Sequence, residues 1–538
     1  MPKIEIDGRE ITVEDGLNII QAAERLGIEV PHYCYHPGLS ISGNCRMCLV
    51  EIEKMPKLQI ACNTRVNDGM VIHTTSPKVK AAQSAVLEFI LINHPVDCPI
   101  CDQAGECKLQ DYYMDYGTYK SQMPIEAKVE KEKAVEIGPQ VMLDQERCIL
   151  CARCTRFLDE VTKTGEMGIF DRGDHCNIDL FPGKTLDNPY SMNVVDVCPV
   201  GALTAKDFRF KARVWYLEKT ESICTRCETG CNIDIYHRRG QMYRFRPRQN
   251  MEVNEFWMCD EGRLSYQAFQ QESRILHPLV RAETAFRQAS WDEAVQRLVE
   301  TVKRAQAEYG PDAVAAIIGA KASNEEAHLL SRILNQQLGS QQAVGLSWSP
   351  DNAPHDDLLI RADKNPNTRG LKTLGLLNGG GEAEQILSAV GQGKIRVLFV
   401  FGVDLVAALG QAVVDAALGE ATVILLDTDY TDTTEYADLV LPIATAPETD
   451  GSCINYAGRI QRLRQAFPPP GEVKTGWEAL ALLSTRLDGP DSVSISEVFA
   501  ELSAAVPALA GLTYGRIGAQ GTLLPALQPD HEAAETSS

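Results

Sequence analysis

The alternation of apolar and polar positions predicts a β-hairpin at the start of the chain. The stretch KIEIDGREITV, residues 3–13, alternates on either side of an Asp-Gly pair, and such a pair between two alternating segments is typical of a two-residue hairpin turn. Residues Asn18–Leu26 follow with apolar positions at helical spacing. We therefore expect a small β-rich domain with one helix here.

A different pattern predicts an α/β domain in the second half of the chain. The stretch AVAAIIGAKASNEEAHLL indicates a buried strand, a glycine turn and a helix that begins with the capping box Ser323–Glu326. The stretch IRVLFVFGVDLV and residues 421–442 repeat the strand–loop pattern, and residues 397–419 predict one buried strand followed by one helix. Repeated units of this kind favour a doubly wound sheet.

Composition and charge narrow the class of protein. The chain has 538 residues, of which 44% are hydrophobic and 23% charged, so it is long enough for several globular cores. Its net charge of −21 argues against nucleic acid as a partner. Neither a signal peptide nor a membrane-spanning run is apparent, and we expect a soluble, cytoplasmic protein.

The cysteines are the candidate metal-binding residues of this chain. Sixteen of the 17 lie before residue 260, and Cys453 stands alone after it. Clustered thiols in a reducing compartment favour metal binding over disulfides. Fifteen of them fall into four groups, whereas Cys176 and Cys453 remain outside and are predicted to be ordinary buried or half-buried thiols.

The first group has the spacing C-x10-C-x2-C-x13-C and contains Cys34, Cys45, Cys48 and Cys62. It is a longer-looped variant of the plant-type [2Fe–2S] spacing. Gly38 and Gly43 lie inside the loop, where a backbone folded around inorganic sulfide needs room and free φ angles. A zinc ribbon is the alternative, but it would favour two CxxC pairs, and only one is present.

The second group combines a histidine with three cysteines: His94, Cys98, Cys101 and Cys107. A lone histidine before proline is more often structural than a ligand. However, three cysteines leave one iron of a [4Fe–4S] cluster open, and imidazole is a suitable fourth donor that would raise the cluster's potential. The residues alone leave both interpretations of His94 open.

The third group resembles a ferredoxin that has lost one cluster. Two-cluster ferredoxins repeat C-x2-C-x2-C-x3-C-P, and the fourth cysteine of each run binds the other cluster. Here the first run lacks its fourth cysteine, and the second run lacks its first three, at Leu158, Asn188, Ser191 and Val194. All four lost positions belong to one cluster. The remaining positions form one complete [4Fe–4S] ligand set: Cys148, Cys151, Cys154 and Cys198.

The fourth group has the spacing C-x2-C-x3-C-x27-C and contains Cys224, Cys227, Cys231 and Cys259. Four thiolates suit either a [4Fe–4S] cluster or structural zinc. The spacing favours the cluster without excluding zinc.

These motifs resemble the large iron–sulfur subunit family of bacterial NADH:quinone oxidoreductase, respiratory complex I. The resemblance covers residues 1 to about 270 and rests on HYCYHPGLSISGNCRMCLVEIE, ACNTRV, HPVDCPICDQAGECKLQD, CILCARCTRF and DVCPVGALT. It implies one [2Fe–2S] cluster on the first group and [4Fe–4S] clusters on the second and third, with His94 as a ligand. The fourth group is similar to an extra [4Fe–4S] centre of some bacterial members, which makes three [4Fe–4S] clusters.

The resemblance implies an electron-relay subunit of a proton-translocating enzyme, peripheral on the cytoplasmic side of the inner (plasma) membrane. Its implied partners are the flavin- and NADH-binding subunit, the [2Fe–2S] subunit and the quinone-site subunits of the peripheral arm, with the membrane arm reached indirectly. The chain shows no glycine-rich dinucleotide fingerprint. We therefore expect no catalytic residue and no cofactor site beyond the cluster ligands.

Beyond residue 270 the chain resembles the molybdopterin oxidoreductase fold, in a shortened form. No cysteine occurs between Cys259 and Cys453, so the family's usual thiolate ligand to molybdenum is missing. The sequence does not exclude a Ser or Asp ligand to molybdenum. We expect a scaffold without its cofactor.

Two other functions compete with the relay. A diaphorase-linked formate dehydrogenase should carry Cys or selenocysteine in a full-length domain, and a hydrogenase should retain the second ferredoxin run and further C-terminal cysteines. A zinc-bound structural module is the third hypothesis.

The predicted organisation is a [2Fe–2S] domain at 1–78, a His/Cys domain at 79–118, ferredoxin-like and fourth-cluster domains at 138–208 and 217–273, a molybdopterin-oxidoreductase-like domain at 274–525, and a disordered tail at 526–538.

Overall fold

The computed structural model describes residues 1–121, 123–283 and 285–527. The chain divides into two compact units, Met1–Leu217 and Glu218–Ser538. The predicted disordered tail lies outside the described residues except for Ala526 and Leu527, which belong to the 3-10 helix Pro525–Leu527. For these two residues the prediction of disorder is wrong. No helix in the described part of the chain is long and apolar enough to span a membrane.

The first unit consists of short strands and helices joined by long loops. Its strands are β1 (Lys3–Ile6), β2 (Arg9–Thr12), β3 (Leu49–Ile52), β4 (Gln59–Ile60), β5 (Val71–His73), β6 (Val135–Glu136), β7 (Val141–Leu143), β8 (Met167–Phe170), β9 (Asn177–Leu180) and β10 (Leu203–Ala205). Its helices are α1 (Ile19–Arg25), α2 (Pro77–Leu91), α3 (Lys108–Tyr116), α4 (Arg153–Glu160) and α5 (Asn193–Val197).

The predicted hairpin and helix are present at the start of this unit. β1 and β2 pair antiparallel, and the turn residues Asp7 and Gly8 have φ values of 47° and 78°. Positive φ at both positions is what the tight turn between twisted strands requires. Asn18 caps α1 through a reciprocal capping box with Gln21. The sheet order is β2-β1-β5-β3-β4, and Ile20 of α1 is buried in the same core as strand residues such as Ile6.

The second unit contains one large sheet and two small ones. Its strands are β11 (Glu218–Ile223), β12 (Asn232–Arg238), β13 (Gln241–Pro247), β14 (Leu279–Ala282), β15 (Ala285–Gln288), β16 (Val314–Gly319), β17 (Ala343–Leu346), β18 (Val397–Phe401), β19 (Thr422–Asp427), β20 (Leu439–Pro442), β21 (Gly451–Ile454), β22 (Arg459–Leu463) and β23 (Thr522–Leu523). Its helices are α6 (Asp260–Leu264), α7 (Trp291–Tyr309), α8 (Asn324–Arg332), α9 (Thr368–Thr373), α10 (Glu382–Gly391), α11 (Leu405–Leu409), α12 (Gln411–Leu418), α13 (Gly476–Arg486), α14 (Ile495–Ala505) and α15 (Tyr514–Ile517).

The large sheet confirms the doubly wound prediction. Its order is β15-β14-β20-β19-β18-β16-β17, and the strands from β16 to β20 pair in parallel. Successive residues of each strand point to opposite faces of the sheet. Phe399 of β18 packs in one core with α7, α8 and α13, and its neighbour Leu398 packs in the other with α10, α11 and α12. Helices on both faces explain the unbroken apolar runs.

Two local predictions in this unit have different outcomes. The capping box of α8 is present, because Ser323 and Glu326 exchange side-chain and backbone hydrogen bonds. The single helix predicted after β18 is wrong. The segment forms two helices, α11 and α12, because Gly410 between them has a φ of 89°, which an α-helix cannot contain.

Candidate metal centres

The first predicted ligand set is shared between two hydrophobic clusters, with Cys48 and Cys62 in the core of the opening sheet and Cys34 in a second cluster. The amide of Cys34 donates a hydrogen bond to Sγ of Cys45 at 3.5 Å. Hydrogen bonds among the four thiols lower the pKa of Cys34 and Cys48 and raise the pKa of Cys45 and Cys62. These hydrogen bonds link Cys34 with Cys45 and with Cys62, and Cys62 with Cys48.

The two glycines of this loop have different backbone conformations. Gly43 has a φ of 64°, and Arg46, between the second and third cysteines, has a φ of 60°. This left-handed backbone turns the chain back around the thiols. Gly38 does not have a positive φ. Its amide instead donates a hydrogen bond to Nδ1 of His36 at 3.1 Å.

The second set shares one cavity. His94, Cys98, Cys101 and Cys107 all contribute to its lining, together with apolar side chains such as Leu87 and Leu91, and its volume is about 460 Å³. Nδ1 of His94 is enclosed and has no hydrogen-bond partner among the described residues. Burial lowers the pKa of His94 to about 4, so its ring is neutral and can donate a nitrogen lone pair to a metal.

Charged residues that the sequence reasoning missed support this second set. Arg147 is buried and pairs with Asp97 at 2.6 Å and with Asp144 at 3.3 Å. Arg213 donates hydrogen bonds to the carbonyl oxygens of Cys101 and Pro99, both at 2.5 Å. These contacts anchor the loop that carries the thiols. Only the position of Arg147, directly before Cys148, hinted at such a role.

The third set encloses a small cavity of its own. Cys148, Cys151, Cys154 and Cys198 line it together with apolar side chains such as Leu143 and Ile178. Burial raises the pKa of Cys148 to about 12 and that of Cys151 to about 11, and the neighbouring thiols add to both effects. Leu150 and Ala152 have φ values of 53° and 57°. The loop thus alternates between thiols and left-handed residues, as a backbone wrapped around a compact group would.

The fourth set lies in the second unit, between β11 and α6. Burial raises the pKa of Cys224 and Cys231, and that of Cys259 to about 12, with the thiols of the set adding to the effect. Sγ of Cys259 accepts a hydrogen bond from the amide of Gly262 at 3.3 Å. A β-carbon at Gly262 would lie 3.1 Å from Sγ of Cys224. Glycine at this position therefore leaves room for two of the sulfur atoms.

The donor sets fit iron–sulfur clusters in their chemistry. Thiolate sulfur is the usual ligand, and the raised pKa values keep most of these buried thiols protonated until a metal replaces the proton. The side chains of the described residues form no group of three or more His, Cys, Asp or Glu that could hold a metal ion as they stand. The fit therefore rests on donor type, on shared cavities and on the enclosed nitrogen of His94.

The two cysteines left outside the sets behave as predicted. Cys453 is buried within β21, and Cys176 is half-buried after a short 3-10 turn.

Sequence models of five domain families match successive parts of the chain. A 2Fe-2S iron-sulfur cluster binding domain matches residues 2–77, and an NADH-ubiquinone oxidoreductase-G iron-sulfur binding region matches 83–122. The ferredoxin-like domain of NADH-quinone oxidoreductase subunit 3 matches 138–204, and an NADH-ubiquinone oxidoreductase NDSU1/NuoG-like, 4Fe-4S domain matches 217–267. Molybdopterin oxidoreductase matches 274–359 and 361–486. The chain thus contains 2Fe-2S and 4Fe-4S binding domains followed by a molybdopterin oxidoreductase domain.

The names of curated relatives agree with those of the matching domain families. The NADH-quinone oxidoreductase G subunit of Rickettsia felis is 43% identical over 340 residues, which cover 63% of this chain and 50% of the relative. The NADH-ubiquinone oxidoreductase 75 kDa subunit of Reclinomonas americana is 39% identical over 371 residues, 68% of this chain and 52% of the relative. The chain therefore spans about half the length of these relatives.

A solved NAD+-reducing [NiFe]-hydrogenase in the H2-reduced state is also similar, with 26% identity and a TM-score of 0.36 over 40% of this chain and 91% of that one. Domain families and curated relatives agree with the motifs described above, and the chain is a relative of the large iron–sulfur (G) subunits of NADH-quinone oxidoreductase.

Proposed function

We propose that the chain is an electron-relay subunit of NADH-quinone oxidoreductase. It holds one [2Fe–2S] and three [4Fe–4S] clusters, which supply reversible one-electron transfer when bound. The four ligand sets are Cys34, Cys45, Cys48 and Cys62; His94, Cys98, Cys101 and Cys107; Cys148, Cys151, Cys154 and Cys198; and Cys224, Cys227, Cys231 and Cys259.

One observation carries this proposal: a single hydrophobic cluster in the first unit contains cysteines of the first three sets, among them Cys34, Cys107 and Cys151. The loops also touch directly. Nδ2 of Asn44, next to Cys45, donates a hydrogen bond to the carbonyl of Leu150 at 3.0 Å. The amide of Lys108, next to Cys107, donates one to the carbonyl of Pro199 at 3.0 Å. Three adjacent centres suit a relay, whereas separate structural zinc sites would not need such contacts.

The chain's own residues position the centres and shield them from water. Apolar side chains such as Leu143 and Val200 surround the third set, and buried ion pairs brace the second. Oxidation of NADH and reduction of quinone belong to partner subunits in this proposal: the flavin- and NADH-binding subunit, the [2Fe–2S] subunit and the quinone-site subunits. The chain sits on the cytoplasmic side of the membrane, and residues 274–525 serve as a scaffold without molybdopterin.

Anaerobic purification followed by metal and sulfide analysis tests the proposal. We expect about 14 iron atoms per chain, the total for one [2Fe–2S] and three [4Fe–4S] clusters, with matching acid-labile sulfide and no molybdenum or tungsten. Low-temperature EPR of the reduced protein should show the separate centres. Stoichiometric zinc without sulfide would refute the relay, and stoichiometric molybdopterin would refute the scaffold.

A single substitution tests the grouping. Cys148→Ala should remove one [4Fe–4S] signal and destabilise residues 138–208, because the loop lacks enough apolar residues to fold without its cluster. The [2Fe–2S] spectrum should persist. Cys176→Ala is the matched control and should leave every signal unchanged.

A further inference from the structure

Arg153, at the start of α4, lies between two of the proposed centres. Its Nη1 atom donates a hydrogen bond to the carbonyl of Val197 at 3.2 Å, and its Nη2 atom donates one to the carbonyl of Tyr35. Val197 directly precedes Cys198, and Tyr35 directly follows Cys34. One guanidinium therefore ties a ligand loop of the third set to a ligand loop of the first.

The positive charge of Arg153 is not paired with a carboxylate among the described residues. Among the described residues, no carboxylate forms an ion pair with it, and its enclosed Nε atom has no hydrogen-bond partner. Arg147 differs, because two carboxylates neutralise it. A guanidinium stays protonated in proteins, so Arg153 carries a positive charge.

The guanidinium lies instead beside ligand loops of both sets, because the two carbonyl groups that it binds belong to the residues next to Cys198 and Cys34. The field of Arg153 therefore acts on two ligand sets at once.

We infer that Arg153 is an electrostatic positioning residue shared by the centres of the first and third sets, and that its positive charge favours the reduced form of both. The inference rests on the proposed function, since it requires clusters on both sets. Reduction of a cluster adds one negative charge. A cation held nearby in a poorly solvated environment stabilises that charge and raises the reduction potential.

Redox titration of the anaerobically purified full chain, followed by EPR, tests the inference. Arg153→Gln removes the charge but keeps a hydrogen-bond donor, and Arg153→Lys keeps the charge but loses the two-pronged geometry. Arg25→Met is the control, because it removes an exposed arginine of the same unit that pairs with Glu14 at 3.7 Å.

We expect Arg153→Gln to shift the reduction equilibrium of both centres at least tenfold toward the oxidised form, which is about 59 mV for a one-electron couple. Arg153→Lys should shift both by less than half as much, and Arg25→Met should shift neither. Loss of both clusters in Arg153→Gln with retention in Arg153→Lys would also support the role of the charge.

Other outcomes overturn the inference. An unchanged potential in Arg153→Gln, a shift in only one centre, or equal effects of the Gln and Lys variants would do so. So would cluster loss in both variants while Arg25→Met stays normal, because that result indicates a purely mechanical tie. Absence of the two EPR signals from the unsubstituted protein would instead refute the proposed function.

Discussion

Gly201 lies against Cys101: a β-carbon added to Gly201 would overlap Sγ of Cys101 and come within 3.0 Å of Cβ of Gln103. Gly201 follows Cys198 by three residues, so the loop of the third set packs directly on a thiol of the second. This close approach, with no side chain between, depends on glycine.

Gly201→Ala should therefore displace Cys101. We expect a loss of stability of about 1–3 kcal/mol from overpacking, together with altered EPR of the His94-containing centre and lower iron content. Gly419→Ala is the matched control, because Gly419 has an ordinary φ of −61° and nothing within 4 Å of its added β-carbon. Unchanged iron content and melting temperature in Gly201→Ala would show that Cys101 can move without consequence.

His94 can be tested by exchanging the donor atom. His94→Cys should still assemble a [4Fe–4S] cluster, but the added negative charge should lower its reduction potential. His94→Ala should lose the cluster or retain an incomplete one. Redox titration of that single EPR signal decides between ligand and structural roles, since a structural histidine would leave signal and potential unchanged in both variants.

The ion pair at Arg147 predicts a large loss of stability on truncation. Arg147→Met removes the buried partner of Asp97 and Asp144 and leaves the exposed Lys133, at 3.2 Å and 3.8 Å, as their remaining cation. We therefore expect a loss of up to about 3–5 kcal/mol. Thermal unfolding of the anaerobic protein measures the effect. Arg25→Met removes an exposed arginine instead, and a loss of at most about 1 kcal/mol is expected there. Equal losses in the two variants would contradict the structural role of Arg147.

Asp427, at the end of β19, predicts a pH dependence of stability. Burial raises its pKa to about 6, above the 3.8 of a free side chain, although the Thr428 amide donates a hydrogen bond to it at 2.7 Å. Between these pKa values the folded protein holds a proton that the unfolded chain releases. Stability therefore falls as the pH rises from about 4 to about 6, and the loss persists above it.

Asp427→Asn should remove this loss, because an amide keeps the acceptor without the charge. Its melting temperature should exceed that of the unsubstituted protein by more at pH 8 than at pH 5, with about 1–3 kcal/mol gained at pH 8. Asp351→Asn, at an exposed position, is the control. A difference that does not change with pH would contradict the raised pKa.

Local rules predicted part of this molecule, and packing between loops determined the rest. The hairpin at Asp7–Gly8 and the cap at Ser323 depend on neighbours within a few residues, so the sequence sufficed. The ligand sets were grouped by spacing, because most members of a set share one loop. Gly201 against Cys101, and Arg153 between two loops, depend on which loops meet in space. The spacing of residues along the chain does not show which loops pack together. The end of α11 at Gly410 was not predicted, because the surrounding residues form one continuous apolar run.

Cys98 differs from the other predicted ligands because its side chain is exposed, whereas the remaining fifteen are buried or half-buried. Oxidants act first on accessible sulfur. Damage by air should therefore begin at this one corner of the second set, and the centre that includes His94 should decay while the enclosed centres persist. If the chain is the proposed relay, its lifetime in air is set by its most accessible sulfur atom, because electron transfer stops when one centre of the path is lost.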